Sequence, residues 1–142
     1  MAAYKAKQMI VMRRDLKMRK GKIAAQAGHA CVDAVLKALA AHRSQGLAAA
    51  LADDGEPVFA AGDDSALAAW FSAGVAKVCV YVDGEEALLD VAEQGMDRGF
   101  VVSLVRDAGI TEFHGEPTYT CLAFEPLFPE QVDPITGDLP LY

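Results

Sequence analysis

The chain has 142 residues, of which 53% are hydrophobic and 23% charged, and its net charge is −7. This length and composition are typical of one globular domain and exclude a disordered chain. No apolar run approaches the ~20 residues that a membrane span needs, and the N-terminal residues lack an apolar signal region. We therefore expect a cytoplasmic protein that does not contact a membrane.

The charge is unevenly distributed along the chain. Residues 1–43 hold ten basic and two acidic residues, whereas residues 44–142 hold three basic and 18 acidic residues. This asymmetry indicates either a local anion-binding site on an acidic body or one solvated basic face, and charge alone leaves both open.

The first third of the chain predicts a strand followed by a long helix. Residues 1–7 are expected to form a flexible tail, and the apolar run over residues 8–12 predicts a buried strand. A basic connector follows and ends at Gly21. From Lys22 to about Arg43, apolar residues recur at steps of three and four, which predicts an amphipathic helix. Its polar stripe contains Lys22, Gln26, His29, Asp33 and Lys37.

The rest of the chain alternates strands and helices. Residues 44–76 are interpreted as a variable helical segment with a short helix over residues 65–71, capped by Ser65. Strands are predicted over residues 77–82, 100–105 and 119–124, a helix between the first two of them, and a last helical turn near residues 129–132. The order predicts one α/β domain over residues 1–142, with a mixed four-stranded sheet and helices on both faces. Its last two strands are expected to pair antiparallel.

Two segments could carry chemistry. In the first, Lys20 and Lys22 flank a glycine at a helix N-terminus, which suits a phosphate or carboxylate, and Gln26 and His29 follow on the same stripe. The alternatives are solvated surface lysines and a hydrogen-bonded helix histidine.

The second segment begins with Asp107, an acid placed directly after a strand and followed by Gly109 and Thr111. Asp107 could orient a water or hold a lysine, or it could cap a turn. Thr118 and Thr120 alternate at the start of the last strand, so they are expected to share one face, or they merely reflect β-propensity.

Common catalytic and metal motifs are missing from the sequence. There is no GxGxxG, GxxxxGK[ST] or GxSxG motif, so the sequence does not support a common nucleotide-binding fold or the nucleophile elbow of α/β hydrolases. The cysteines Cys31, Cys79 and Cys121 contain no CxxC pair, and the three histidines are scattered. No metal site and no disulfide framework are expected.

Several motifs together resemble the archaeal and eukaryotic type of peptidyl-tRNA hydrolase, often called type 2. They are Asp15-Leu-Lys-Met18, Lys20-Gly-Lys-Ile-Ala-Ala-Gln26, His29-Ala30, Asp107-Ala-Gly109, Thr111, Thr120, and the segment from Asp133 to Tyr142. The resemblance covers roughly residues 8–43 and 77–142. It implies an α/β fold with a mixed four-stranded sheet. It also implies an enzyme that hydrolyses the ester between a peptide and tRNA, without metal or organic cofactor, and recycles stalled peptidyl-tRNA.

The resemblance also implies a set of site residues. The catalytic candidates are Lys22, Asp107, Thr111 and Thr120. The resemblance places Lys20, Gln26 and His29 along the substrate-binding cleft. Arg19 and Thr118, which depart from the family pattern, are further substrate-binding candidates of this sequence. A lysine ammonium or a threonine hydroxyl would stabilise the developing oxyanion, and Asp107 would orient the attacking water.

The sequence departs from the family pattern at three points. Arg19 replaces a usual glycine, and Ile110 replaces a usual basic residue. The stretch from Thr111 to Thr120 is one residue longer than usual, so Thr118 could take the role of Thr120. The alternative function is therefore a non-catalytic domain of this fold that binds tRNA or another anion, or a protein-interaction domain. A homodimer is left open.

Overall fold

The computed structural model describes residues 4–42, 59, 62–109 and 113–142. The elements in chain order are β1 (Gln8–Arg13), α1 (Lys20–His42), α2 (Ala66–Ser72), β2 (Lys77–Val82), α3 (Glu85–Asp97), β3 (Val102–Asp107), β4 (Thr118–Phe124) and α4 (Pro129–Thr136). This order confirms the predicted α/β class.

The four strands form one mixed sheet in the order β2-β1-β4-β3. β1 and β2 are parallel, and β4 runs antiparallel to both β1 and β3. The predicted antiparallel pairing of the last two strands is therefore confirmed. Since β1, β2 and β3 run in one direction, their carboxyl ends lie at the same edge of the sheet.

Helices cover both faces of the sheet, as predicted. All six residues of β1 are buried, which is typical of a strand with a helix layer on each side. On one face α1 packs against a core that includes Ile10, Met12 and Cys121. On the other face, α3 and α4 pack on a core that includes Leu122 and Phe124.

The short helix α2 packs beside the C-terminal half of α1. The Ser65 hydroxyl accepts a hydrogen bond from the backbone N–H of Ala68 at 3.1 Å, so the predicted cap is confirmed. Trp70 is buried against Ala6 and Val35. The remainder of the predicted variable segment, residues 44–58, 60 and 61, lies outside the described residues.

The predicted strand over residues 100–105 lies two residues further on, at Val102–Asp107. Its start is delayed because α3 ends in a tight turn at Gly99, whose φ of 80° favours glycine. In that turn the N–H of Phe100 donates to the carbonyl of Gly95. Phe100 therefore belongs to the exit from the helix.

Other boundaries also differ from the sequence prediction, and the helical turn predicted near residues 129–132 is the first half of the longer helix α4. The helix α1 begins at Lys20, because the carbonyl of Arg19 accepts the first helical hydrogen bond from Ile23. Part of the predicted tail 1–7 is packed: Ala6 is buried, and the backbone of Lys7 pairs with that of Leu127. Within the described part of the chain, no helix combines the length and the apolar character needed to cross a membrane.

Candidate active site

The two connections that the sequence singled out meet at one edge of the sheet. The connection after β1 and the connection after β3 both leave from carboxyl ends, and β4 begins beside the end of β3. The first turns of α1 lie at the same edge, since Lys22 contacts Asp107 there. Strand ends of this kind commonly carry functional side chains in α/β proteins.

An ion pair lies at the centre of this edge. Lys22 Nζ lies 2.7 Å from Asp107 Oδ1, and the two side chains are 17% and 12% exposed. Asp107 Oδ2 accepts a hydrogen bond from the N–H of Gly109 at 2.8 Å. Two of the three sequence interpretations of Asp107 are therefore found: it holds a lysine and it caps the following turn.

The contacts of Asp107 keep its carboxyl group ionised. The hydrogen bond from Lys22 is the main cause that lowers its pKa below the usual 3.8, and the Gly109 N–H and the charge of Lys22 add to it. Partial burial opposes this shift without reversing it. The site thus presents a carboxylate and an ammonium in one partly shielded place.

An amide and a hydroxyl extend the ion pair into a hydrogen-bonded chain. The Thr120 hydroxyl donates to Gln26 Oε1 at 2.7 Å, and Gln26 Nε2 donates to Asp107 Oδ1 at 3.4 Å. Because an amide has one acceptor end and one donor end, the bond from Thr120 turns the donor end of Gln26 toward Asp107. Thr120 is fully buried and so fixes this orientation.

A β-bulge brings Thr120 into this chain. Val105 pairs with Cys121, but the next residue of β3, Arg106, pairs with Tyr119, so β4 carries one extra residue, Thr120. A bulge breaks the strict alternation of side chains and can re-aim one of them. This explains how Thr120 and its neighbour Cys121 both contact α1, at Gln26.

The thiol next to Thr120 is not suited to nucleophilic chemistry. The Cys121 Sγ–H donates to the carbonyl oxygen of Gln26 at 3.5 Å. Burial raises the pKa of this thiol to about 12, so it stays protonated at neutral pH. Cys31 and Cys79 are also free thiols, and burial raises their pKa values as well.

The remaining predicted site residues lie around the hydrogen-bonded chain from Thr120 to Asp107 or outside the described residues. Arg19 and Lys20 are exposed at the start of α1, where backbone N–H groups and the helix dipole favour an anion. Thr118 pairs with Asp107 across the strands, but its hydroxyl donates to the carbonyl of Glu116 at 2.8 Å. Thr111 and the departure at Ile110 lie outside the described residues.

His29 is exposed on α1, one turn beyond Gln26. Its charge contributes to lowering the pKa of Asp33, after larger contributions from Lys37 and Ser103. The stripe predicted from helical spacing therefore divides. Its first two members, Lys22 and Gln26, contact Asp107. Further along, Asp33 accepts a hydrogen bond from Ser103 of β3 at 2.6 Å.

Sequence reasoning missed Arg13, which contacts the bulge. Arg13 is 9% exposed, and its Nη1 donates to the carbonyl of Tyr119, the residue before Thr120, at 3.0 Å. The sequence did contain an indication of a buried, paired arginine, because Arg13 directly follows the predicted buried strand and an acid, Asp15, comes two residues later. Buried arginines are rare unless they are paired.

The arrangement suits hydrolysis of an activated carbonyl compound. A carboxylate can orient and polarise a water, and an ammonium can stabilise the charge that develops on a carbonyl oxygen. The Phe113 ring, whose centroid is 5.9 Å from Lys22 Nζ, adds an apolar side to the site. Among the described residues, no group of three His, Cys, Asp or Glu side chains is placed to hold a metal ion.

Comparison with known proteins places the chain in a family. The sequence model of the family described as Peptidyl-tRNA hydrolase PTH2 matches residues 6–142. A protein named peptidyl-tRNA hydrolase from Methanopyrus kandleri is 40% identical over 136 residues, which cover 95% of this chain and 97% of the relative. A protein of the same name from Nanoarchaeum equitans is 38% identical over 136 residues, covering 96% and 98%. One from Thermococcus onnurineus is 35% identical over 138 residues, covering 97% and 98%.

The chain therefore belongs to the peptidyl-tRNA hydrolase PTH2 family, and the resemblance drawn from its motifs is confirmed. The family and the names of these relatives support the predicted function, hydrolysis of peptidyl-tRNA, and the predicted enzyme class.

Proposed function

We propose that this chain cleaves the ester bond of peptidyl-tRNA at the Lys22–Asp107 pair, releasing peptide and free tRNA. The observation that supports this proposal is the chain of hydrogen bonds from Thr120 through Gln26 to Asp107, which ends on Lys22 beside the amino end of a basic helix. The proposal assigns a role to each of these groups.

Asp107 is the residue that orients the attacking water. Its lowered pKa leaves it ionised at neutral pH, so it can accept a hydrogen bond from the attacking water. As the water attacks, the carboxylate acts as a general base toward the water proton. Lys22 then stabilises the oxyanion that forms on the ester carbonyl. In the tetrahedral intermediate the new C–O bond comes from water, and collapse breaks the bond to the ribose oxygen, which takes up a proton.

Gln26 and Thr120 hold Asp107 in the orientation that this step needs. Since the Thr120 hydroxyl donates a hydrogen bond to Gln26 Oε1, it fixes the amide that contacts Asp107. Thr111 is assigned a catalytic role by the family resemblance, and Thr118 a place at the rim of the site. The pairing of Thr118 with Asp107 supports that location.

Arg19, just before α1, and Lys20, its first residue, bind the tRNA. Arg19 and Lys20 are exposed and precede Lys22 by three and two residues. The first turn of α1 contains no acidic residue. Binding to tRNA phosphates through such residues weakens as salt concentration rises. His29 lies further along α1 and would contact the same bound strand. The cytoplasm is the expected location, because translation supplies the substrate there, and a homodimer is the further oligomeric hypothesis.

The test is release of the acyl group from N-blocked aminoacyl-tRNA, with unblocked aminoacyl-tRNA as the substrate control. Lys22→Met should lower kcat by at least about 100-fold, the usual effect of losing an oxyanion donor. Lys37→Met is the matched control on the same helix, because Lys37 is 59% exposed in its ion pair with Asp33. It should keep kcat within about twofold, as expected for an exposed pair.

Binding of tRNA without cleavage by well-folded protein would contradict the proposal and favour the alternative of a tRNA-binding or anion-binding domain. Absence of both binding and cleavage would favour a protein-interaction domain.

A further inference from the structure

We propose that Arg13 is a positioning residue for hydrolysis, because it fixes the β4 bulge that carries Thr120. This inference rests on the proposed function, in which Thr120 orients Gln26 and, through it, Asp107. Arg13 lies at the end of β1 and has only 9% of its surface exposed. Among the described residues its hydrogen-bond and ion-pair partners are Asp15, Tyr119 and Glu85, so its proposed effect on turnover acts through other residues.

Arg13 supplies a hydrogen-bond donor to the bulged part of β4. The pairing of β1 with β4 ends at Met12 and Cys121, so the backbone of β4 before Cys121 has no β1 partner. The carbonyl of Tyr119 lies in this stretch and accepts a hydrogen bond from Arg13 Nη1 at 3.0 Å. This hydrogen bond is part-buried, and a carbonyl that is shielded from water and lacks a partner is costly, so the bond stabilises the bulged conformation of β4.

The guanidinium is held in place by a second set of contacts. Arg13 Nε and Nη2 donate to the two carboxylate oxygens of Asp15 at 3.1 and 2.7 Å. The hydrogen bond from Arg13 is the main cause of the lowered pKa of Asp15. A planar guanidinium can bind a carboxylate with one edge and still offer an N–H to Tyr119, whereas a lysine ammonium lacks this fixed geometry.

These contacts join the two segments from which the active site is built. Asp15 belongs to the connection between β1 and α1, and Tyr119 directly precedes Thr120. Arg13 Nη1 also lies 3.9 Å from Glu85 at the start of α3. Arg13 therefore sets the spacing between the chain that leads to Lys22 and the strand that carries Thr120. Misplacing a catalytic group by about 1 Å can reduce the rate about 100-fold.

The neighbouring arginine offers a matched control. Arg14 also makes a two-point contact with an acid, Asp83, at 3.3 and 3.4 Å. Its side chain is 51% exposed, and its guanidinium stacks 3.8 Å from the centroid of the Tyr81 ring. Arg14 thus has the same charge and a similar fork but makes its contacts at the surface, at the outer strand β2.

The experiment compares Arg13→Lys with Arg14→Lys in the cleavage of N-blocked aminoacyl-tRNA. Arg13→Lys should lower kcat by about 10- to 100-fold and leave KM within about twofold, because the site is distorted while the charge is kept. Arg14→Lys should leave both within about twofold. If Arg13 instead bound a tRNA phosphate, its replacement by methionine would raise KM and flatten the salt dependence of KM, which would overturn the inference.

A double-mutant cycle with Thr120→Val tests whether Arg13 acts through the bulge. In the Thr120→Val background, Arg13→Lys should cost less than about threefold in kcat, because the hydroxyl that it positions is already absent. If the kcat loss of the double variant equalled the product of the losses of the two single variants, the inference would be overturned. A Thr120→Val variant with unchanged kcat would instead refute the role of Thr120 in the proposed function.

A fold control completes the test. Each variant is compared by thermal unfolding, and Asp15→Asn serves if Arg13→Lys fails to fold. Asp15→Asn keeps the guanidinium but removes the charge that holds it, so kcat should fall about 3- to 10-fold with KM unchanged. A folded Asp15→Asn protein with wild-type kcat would overturn the inference.

Discussion

Replacement of Asp107 by asparagine tests the site most directly, because both oxygens of this carboxylate have defined partners. Oδ1 contacts Lys22 and Oδ2 accepts from the N–H of Gly109. An asparagine side chain of the same shape has one acceptor and one donor end. Whichever way the amide is turned, a donor will therefore face another donor, at either Lys22 or Gly109.

The size of the effect follows from the lost contacts. A hydrogen bond to a charged group contributes about 1.5–3 kcal/mol to stability. Lys22 is 17% exposed, so its ammonium can turn toward water and recover part of this loss. We expect the free energy of unfolding to fall by about 1–2 kcal/mol. We expect kcat to fall by at least about 100-fold, the lower end for loss of a positioned acid–base group.

The assay measures single-turnover cleavage of N-blocked aminoacyl-tRNA alongside urea unfolding. Asp133→Asn is the matched control, because Asp133 forms a 2.7 Å ion pair with Lys7 but its side chain is 47% exposed. This variant should lose less than about 1 kcal/mol of stability and keep its kcat. A folded Asp107→Asn protein with kcat within about twofold of wild type would refute the role given to the carboxylate.

Three further predictions use the same protein and assays. Because the pKa of Asp107 lies below its usual 3.8, kcat should show no acid limb from this group between about pH 5 and 7; the ion pair's stabilising effect should be present above pH 3.8 and lost as pH falls through the lower folded-state pKa. A limb centred above 3.8 that disappears in Asp107→Asn would contradict this prediction. Gly109→Ala should destabilise the chain by more than Gly115→Ala in urea unfolding, since both glycines have φ near 80° but only a Cβ at position 109 would overlap the carbonyl of Glu116; equal losses would show that the close approach does not matter. Lys20→Met should raise KM with little change in kcat. The slope of log KM against log salt concentration should fall by the amount expected for about one phosphate contact, and an unchanged slope would show that Lys20 does not contact the tRNA.

The pairing of Lys22 with Asp107 could be predicted from the sequence because it follows from topology. Lys22 comes after a connection that leaves β1, and Asp107 comes at the end of β3. Strands joined through helices run parallel, and the carboxyl ends of parallel strands share an edge. Local patterns therefore placed both residues near each other without any knowledge of side-chain packing.

The bulge could not be predicted in the same way. Apolar and polar alternation assumes that each residue of a strand opposes one residue of its partner, and the stretch from Tyr119 to Phe124 carries no glycine that would mark an irregularity. The extra residue is visible only in the pairing of β4 with β3. Because the role of Arg13 depends on that bulge, it could not be inferred either.

The end of β3 was predicted two residues too early for a related reason. Hydrophobicity favoured residues 100–105, yet the last strand residues are the charged Arg106 and Asp107. The backbone ladder continues through them because Tyr119 and Thr118 supply partners. Strand ends at an active site are set by the partner strand more than by the polarity of their own side chains.

The central position of β4 has a consequence for how the chain folds during synthesis. β4 is the last of the four strands in chain order, yet it lies between β1 and β3. The nascent chain can pair β1 with β2, but β3 has no neighbour until residues 118–124 have been made. Apolar residues of β3 and α3 are thus exposed until the final strand inserts, which favours a late, slow closing step and makes truncated chains prone to aggregation.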